Sequence, residues 1–300
     1  MAHAHSPVEG RSHRRRRVRA ALLVTATLFV AEVVGGLLSG SLALLADAAH
    51  MMTDVGALTL SYAAMTLAER PATKKHTFGL HRAEILAAFV NAEILLVVSG
   101  FIFYESWRRF AEPPEIHSGL MLGVALVGFA GNLVSLRLLH GEHRESLNVR
   151  AAYFEVLTDA LASAGVIAAA LVILNTGWTW VDPAASALIG LVILPRTVHL
   201  LRESGHILLE GSPGEIDLPG LREHVMRIRG VQEIHDLHVW TLTSGVHSAS
   251  VHIRAADDSP RGEVLRAVQD CLRDEAGVTH ATVQIEWGPA ARCELTEHEY

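Results

Sequence analysis

Residues 41–67 read SLALLADAAHMMTDVGALTLSYAAMTL, and residues 151–174 read AAYFEVLTDALASAGVIAAALVIL. Both stretches are long and apolar enough to cross a bilayer as helices, which takes about 20 residues. Yet the first carries Asp47, His50 and Asp54, and the second Glu155 and Asp159. A charged side chain at the bilayer centre costs roughly 2.5–3.5 kcal/mol on the insertion scale, so five ionisable groups in two spans need partners or water. His50 and Asp54 stand at i and i+4, as do Glu155 and Asp159, and such positions share one helix face. Each segment can therefore turn two metal-type ligands toward one point. A plain hydrogen-bond cluster between helices is the alternative reading. The doubled spacing and the pairing of imidazole with carboxylates favour a divalent-ion site, and four nitrogen and oxygen donors suit zinc. Asp47 lies near the same stripe and reads as a supporting or pathway group.

Four further runs extend the pattern outward. With the two above, the expected spans are Ala20–Ser39, Leu42–Leu67, Ile85–Phe103, Leu120–Leu136, Ala151–Leu174 and Val181–Leu201. The mean hydropathy of +0.29 over 300 residues agrees with a chain that is largely intramembrane. Basic residues set the orientation. The N-terminal segment, the second–third connection and the fourth–fifth connection hold thirteen Lys and Arg, against Arg108 and Arg109 on the other side. The rich side is expected to be cytoplasmic, with both termini there. The opening MAHAHSPVEGRSHRRRR lacks a small-residue cleavage site after the first apolar run, so it reads as an uncleaved membrane start. The run Arg14–Arg17 suits anionic headgroups.

The net charge of −7 belongs entirely to residues 211–300, which hold 8 Lys and Arg against 15 Asp and Glu. An acidic tail argues against nucleic acid, which needs a basic face, and suits a domain that attracts cations. Residues 215–229 read as a helix ended by Gly230. Two alternating strands follow, joined at Ser244-Gly245, then a helix with Pro260 in its first turn and Gly277 after it, then a third strand. The order αββαβ suits a small antiparallel sheet with helices on one face. Alternation would point Asp236, His238 and Trp240 one way and His235 the other. Cys271 and Cys293, the two cysteines, read as free or metal-linked thiols.

The segments SGSLALLADAAHMMTDVGAL, KKHTFGLHRAEILAAFVNA, LNVRAAYFEVLTDALASAGVI and VQEIHDLHVW together resemble the cation diffusion facilitator family, in particular its zinc-transporting bacterial branch. The resemblance runs from about residue 18 to residue 287. It implies six transmembrane helices followed by a cytoplasmic α+β ferredoxin-like domain, a homodimer, and export of metal from the cytoplasm in exchange for protons. The corresponding boundaries are a tail over 1–17, the membrane domain over 18–210, a metal-binding domain over 211–290 and a C-terminal tail over 291–300. By the same resemblance His50, Asp54, Glu155 and Asp159 form the transport site, His235, His252 and Glu286 a cytoplasmic metal site with His238, His247 and His280 in reserve, and His76 a loop site. Arg82 would pair with Glu210 just after the sixth span.

One departure from the branch matters. Glu155 stands where a His is usual, which makes the ligand set one His and three carboxylates. That leaves three outcomes: one carboxylate keeps a proton with the metal bound, or the site recruits water and favours harder or larger ions such as manganese, cadmium or iron (cobalt also being in the branch's range), or it carries zinc, the favoured ion, with a changed proton ratio. Metal needs deprotonated ligands, so protons and metal compete for one site. An intramembrane metalloprotease would need HExxH, and ATP-driven transport a GxxxxGK[ST] loop. Neither motif occurs, so the expectation is a transporter without enzymatic activity, ATP or organic cofactor. A metal-sensing scaffold that does not transport is the remaining alternative. His3, His5 and His13 are weak candidates for loose metal capture; Asn91, Glu93 and Asn132 read as groups bonding between helices, with a proton path or an Arg or His partner also open for Glu93.

Overall fold

The computed structural model describes residues 7–67, 73–139, 147–256 and 259–286. The chain divides into two compact units, Met1–Pro71 with Ala87–Arg202, and Ala72–Leu86 with Glu203–Tyr300.

The first unit is helical. Its elements are α1 (Pro7–Ser39), α2 (Leu42–Leu67), α3 (Arg82–Ala111), α4 (Ser118–Leu139), α5 (Leu147–Thr176) and α6 (Val181–Leu208). Five of the six carry segments long and apolar enough to span a bilayer. In α2 the described apolar stretch is Leu42–Thr53. The helix α1 reaches back to Pro7, well before the apolar run: proline is tolerated at the first helical position, and Arg11–Arg19 contains neither glycine nor proline. Turns are made where Gly40 and Gly177 adopt positive φ (72° and 71°), a conformation that glycine accepts without a Cβ clash.

Packing inside this unit uses small residues. Ala43 and Leu44 of α2 meet Met121 and Ala125 of α4 and Val166, Ala169, Ala170 and Ile173 of α5. Ala46 and Ala49 of α2 meet Leu95 and Ile102 of α3 and Ile193 of α6. Small side chains let helix backbones approach closely where lipid supplies no hydrophobic drive. The outward surface is apolar: Leu23, Val30, Leu37, Val97, Phe101, Leu161 and Leu188 are all exposed. Trp107, Trp178 and Trp180 are exposed near helix ends, as expected of an interfacial belt.

The second unit contains α7 (Leu218–Met226), β1 (Val231–Thr243), β2 (Val246–Ala255), α8 (Arg261–Ala276) and β3 (Val278–Glu286). The αββαβ order holds. The helix expected over 215–229 is shorter, beginning after Asp217 with Pro219 in its first turn and closing at Arg227. The sheet corrects a second expectation. β1 pairs antiparallel with β2, but β3 runs parallel to β2. The reason is topological: α8 is a crossover that carries the chain back, so the strand after it runs the same way as the strand before it. Val264, Val268, Leu272 and Ala276 recur at i+4 and bury one face of α8 against Val251, Ile253 and Ala255 of β2. Gly277 closes α8 in the left-handed conformation, φ 59°.

Candidate metal centres

In the membrane unit, α2 and α5 bring His50 and Asp159 together. His50 Nε2 lies 2.8 Å from Asp159 Oδ1, and both side chains are largely hidden from solvent. Both are metal-type donor atoms, close enough for one ion to be held by both, and metal needs them free of protons. Asp54 follows His50 by one turn on α2, and Glu155 precedes Asp159 by one turn on α5. The backbones of both are described, and their side chains lie outside the described set. Asp47 is 3% exposed, and Ser163 Oγ donates to its Oδ2 at 3.1 Å. Glu32 on α1 is also buried beside this region. Sequence reading passed over Glu32, although a lone carboxylate in the apolar run TLFVAEVVGG was a legible signal.

The far end of the same helices is fixed by a second polar set. Asp182, at the start of α6 and fully buried, accepts from Ser41 Oγ (2.6 Å), Leu42 N (2.8 Å) and Ala43 N (3.1 Å). Ser41 Oγ in turn accepts from Leu44 N at 3.2 Å. Together they satisfy amides in the first turn of α2 that have no partner within the helix. Arg109 bridges Glu105 (3.0 Å) and the Gly40 carbonyl, and reaches Asp182 at 3.7 Å. The α2 helix that carries His50 is thus anchored through groups on α3 and α6.

In the second unit, His235, His252 and Glu286 offer ligand atoms that all lie within 4.8 Å of one another. His235 Nε2 and His252 Nδ1 each stand 3.3 Å from a Glu286 oxygen. Register explains the grouping. His235 is directly opposite His252 across the β1–β2 ladder, and Glu286 closes the parallel β3 on the other side. Glu286 is 5% exposed, so its charge faces imidazoles rather than water. Two imidazoles and a carboxylate are a zinc-type donor set, and the residues fit such an ion.

The expected alternation along β1 fails at Asp236, which takes a positive φ of 54° at a bulge between His235 and His238. The extra residue shifts the phase of the strand. Ile234 and Val239 are accordingly both buried despite their odd spacing. Asp236 therefore turns toward His252 (3.8 Å) as well as bonding His238 (2.8 Å). The reserve histidines have other contacts. His247 faces Thr241 Oγ1 (3.2 Å) and Glu215 (3.3 Å), and His280 stacks edge-on against Phe78 at 5.2 Å. His76 is exposed in its loop, and among the described residues no cluster of three ligands includes it. Arg82 Nη2 meets Glu210 Oε1 at 3.0 Å with both side chains exposed, and Glu210 sits at a positive φ of 62°. Glu93 is exposed rather than turned into the cluster. His3, His5 and Cys293 lie outside the described residues, and the side chain of His13 is not described.

Fold and site together define a multi-pass membrane protein with ion-type ligands buried between its helices and a separate α/β unit carrying a second ligand set. Residues 18–209 match the cation efflux transmembrane domain, and residues 213–287 match the cytoplasmic domain of cation efflux proteins. The cation efflux system protein CzcD of Alcaligenes sp. (strain CT14) is 46% identical over 284 residues, 94% of this chain and 90% of the relative. The zinc transporter ZitB of Pectobacterium atrosepticum is 43% identical, over 96% of this chain and 89% of the relative. A cadmium, cobalt and zinc/H(+)-K(+) antiporter of Bacillus velezensis is 38% identical, over 95% and 92%. The chain belongs to the cation efflux family, a family of transporters, and is a multi-pass protein of the cell membrane with a cytoplasmic domain.

Proposed function

We propose that this protein exports a divalent cation, zinc first, from the cytoplasm in exchange for protons. The observation that carries the reading is the buried His50–Asp159 contact, 2.8 Å across two helices. Asp54 and Glu155 complete the ligand set from the same helices. Because a proton and an ion cannot both occupy that contact, loading the ion on one side expels protons, and reloading protons on the other side expels the ion. The names of the relatives, a zinc transporter and a cadmium, cobalt and zinc antiporter, support the same cargo. The carboxylate at 155 favours a second cargo reading, a harder ion such as manganese.

The rest of the assignment follows the same logic. Both termini are cytoplasmic, the membrane domain spans 18–210, and residues 211–290 bind regulatory zinc through His235, His252 and Glu286 within a homodimer. Asp47 is a pathway group. Arg82 and Glu210 tie the third span to the end of the sixth, although an exposed pair of this kind is worth only about 0–1 kcal/mol. The loop at His76 is at most a loading point. Neither ATP nor nucleic acid enters this scheme.

The test is flux into proteoliposomes with a pH dye and a metal dye inside, run across zinc, cadmium, cobalt, manganese and iron. Ion movement coupled to opposite proton movement is expected for the native chain and lost in D159N. A native chain that binds metal through its cytoplasmic domain but moves none would establish the scaffold reading instead.

A further inference from the structure

The His50–Asp159 contact is one rung of a ladder. Asp47 precedes His50 by three residues on α2, and Ser163 follows Asp159 by four on α5. Residue numbers rise along one helix as they fall along the other, so Asp47–Ser163 (3.1 Å) is a second rung above His50–Asp159 (2.8 Å). At about 1.5 Å per residue the two rungs are about 5 Å apart along the helix axis. The second rung lies on the side of the α1–α2 turn, which the proposed topology places outside.

A third group completes this rung. Glu32 of α1 is 2% exposed, and among the described residues its Oε2 has no hydrogen-bond partner. Its Oε1 occupies the space left by a missing side chain on α4. A Cβ built on Gly128 would stand 2.6 Å from Glu32 Oε1 and 3.8 Å from Ser163 Oγ, so Glu32 and Ser163 face each other across that glycine. The same Ser163 hydroxyl donates to the buried Asp47 carboxylate of α2, which brings a second acidic group to this side of the cluster. A buried carboxylate with an unused oxygen beside a second carboxylate and a hydroxyl is a receptor for a cation.

We infer that Glu32, Asp47 and Ser163 form a second, oxygen-only station for the divalent ion, one helical turn outward of the transport site. The inference rests on the export reading above. Oxygen donors alone hold zinc less tightly than a set containing imidazole. An exit station needs that weakness, since conduction requires each site to bind well enough to be entered and loosely enough to be left. Gly128 is part of the device because any larger residue would push the Glu32 carboxylate aside.

The full chain in proteoliposomes, probed with zinc alone, tests this. E32Q is expected to lower maximal zinc flux by about tenfold while half-saturating zinc shifts by less than about twofold, the pattern of an interaction made after loading. E32D should recover most of the flux. G128A, which keeps every charge, should reproduce the E32Q defect. Zinc bound per chain at saturation should fall by one in E32Q, and H50A should keep the ion that depends on Glu32. Wild-type flux in E32Q would overturn the station. So would an unchanged zinc count with only the pH profile altered, which would make Glu32 a proton carrier. Loss of thermal stability in E32Q and E32D alike, with flux falling in proportion to folded protein, would reduce Glu32 to packing. If the native chain moves no zinc, the export reading itself fails.

Discussion

At His50 the imidazole meets one carboxylate, and its helix carries another a turn away. In the proposed ligand set the fourth position, Glu155, sets the cargo chemistry. Replacing it with imidazole converts one His and three carboxylates into two and two, the softer and more zinc-selective set. E155H is expected to raise zinc flux relative to manganese in the proteoliposome assay, and an unchanged rank order would mean that the side chain does not touch the ion. Cys271 shows environment acting on a single group. Burial first, then the nearby Glu275 and Asp274, push its thiol above the usual range. The neutral form therefore persists through neutral pH, and thiolate appears only as pH rises past the ordinary thiol value. Alkylation read by peptide mass should be slow near neutrality and accelerate only in alkali. Fast labelling at neutral pH would contradict this.

The informative element is α2. Its ligands are useful only if the helix is held in rotation and depth, and its first turn is held by a carboxylate from α6. Asp182 accepts three hydrogen bonds there with no solvent exposure. Removing it strips a cap and leaves buried donors unsatisfied, at a cost of about 2–4 kcal/mol. D182A should therefore lower the melting temperature of the detergent-solubilised protein and reduce zinc flux together, and D182N should retain part of both. A normal melting temperature with absent flux would move Asp182 from anchoring to ion handling. In the cytoplasmic unit the comparable element is β1. Its bulge at Asp236 decides which imidazoles share a face, a feature that strand periodicity cannot anticipate.

For the whole molecule, two ligand sets on one chain suggest that the cytoplasmic unit senses the ion that the membrane unit exports. Zinc should shorten the distance between labels placed on the two cytoplasmic domains of the dimer, and the H235A/E286Q variant should abolish that shortening. No zinc-dependent change in the native protein would remove the regulatory role. The sequence by itself determined the helical spans, the i and i+4 spacing of the proposed ligands on α2 and α5, and the αββαβ order. Each of these is a local periodicity or a turn signal, written within a few residues of itself. Only the tertiary structure decided that Asp182 caps a helix 140 residues away, that Glu32 faces Ser163 across Gly128, that β3 runs parallel, and that Asp236 joins His252. Those contacts depend on how far each helix is rotated about its axis and on the register between strands. Rotation and register are settled by packing between distant segments, so no local pattern encodes them.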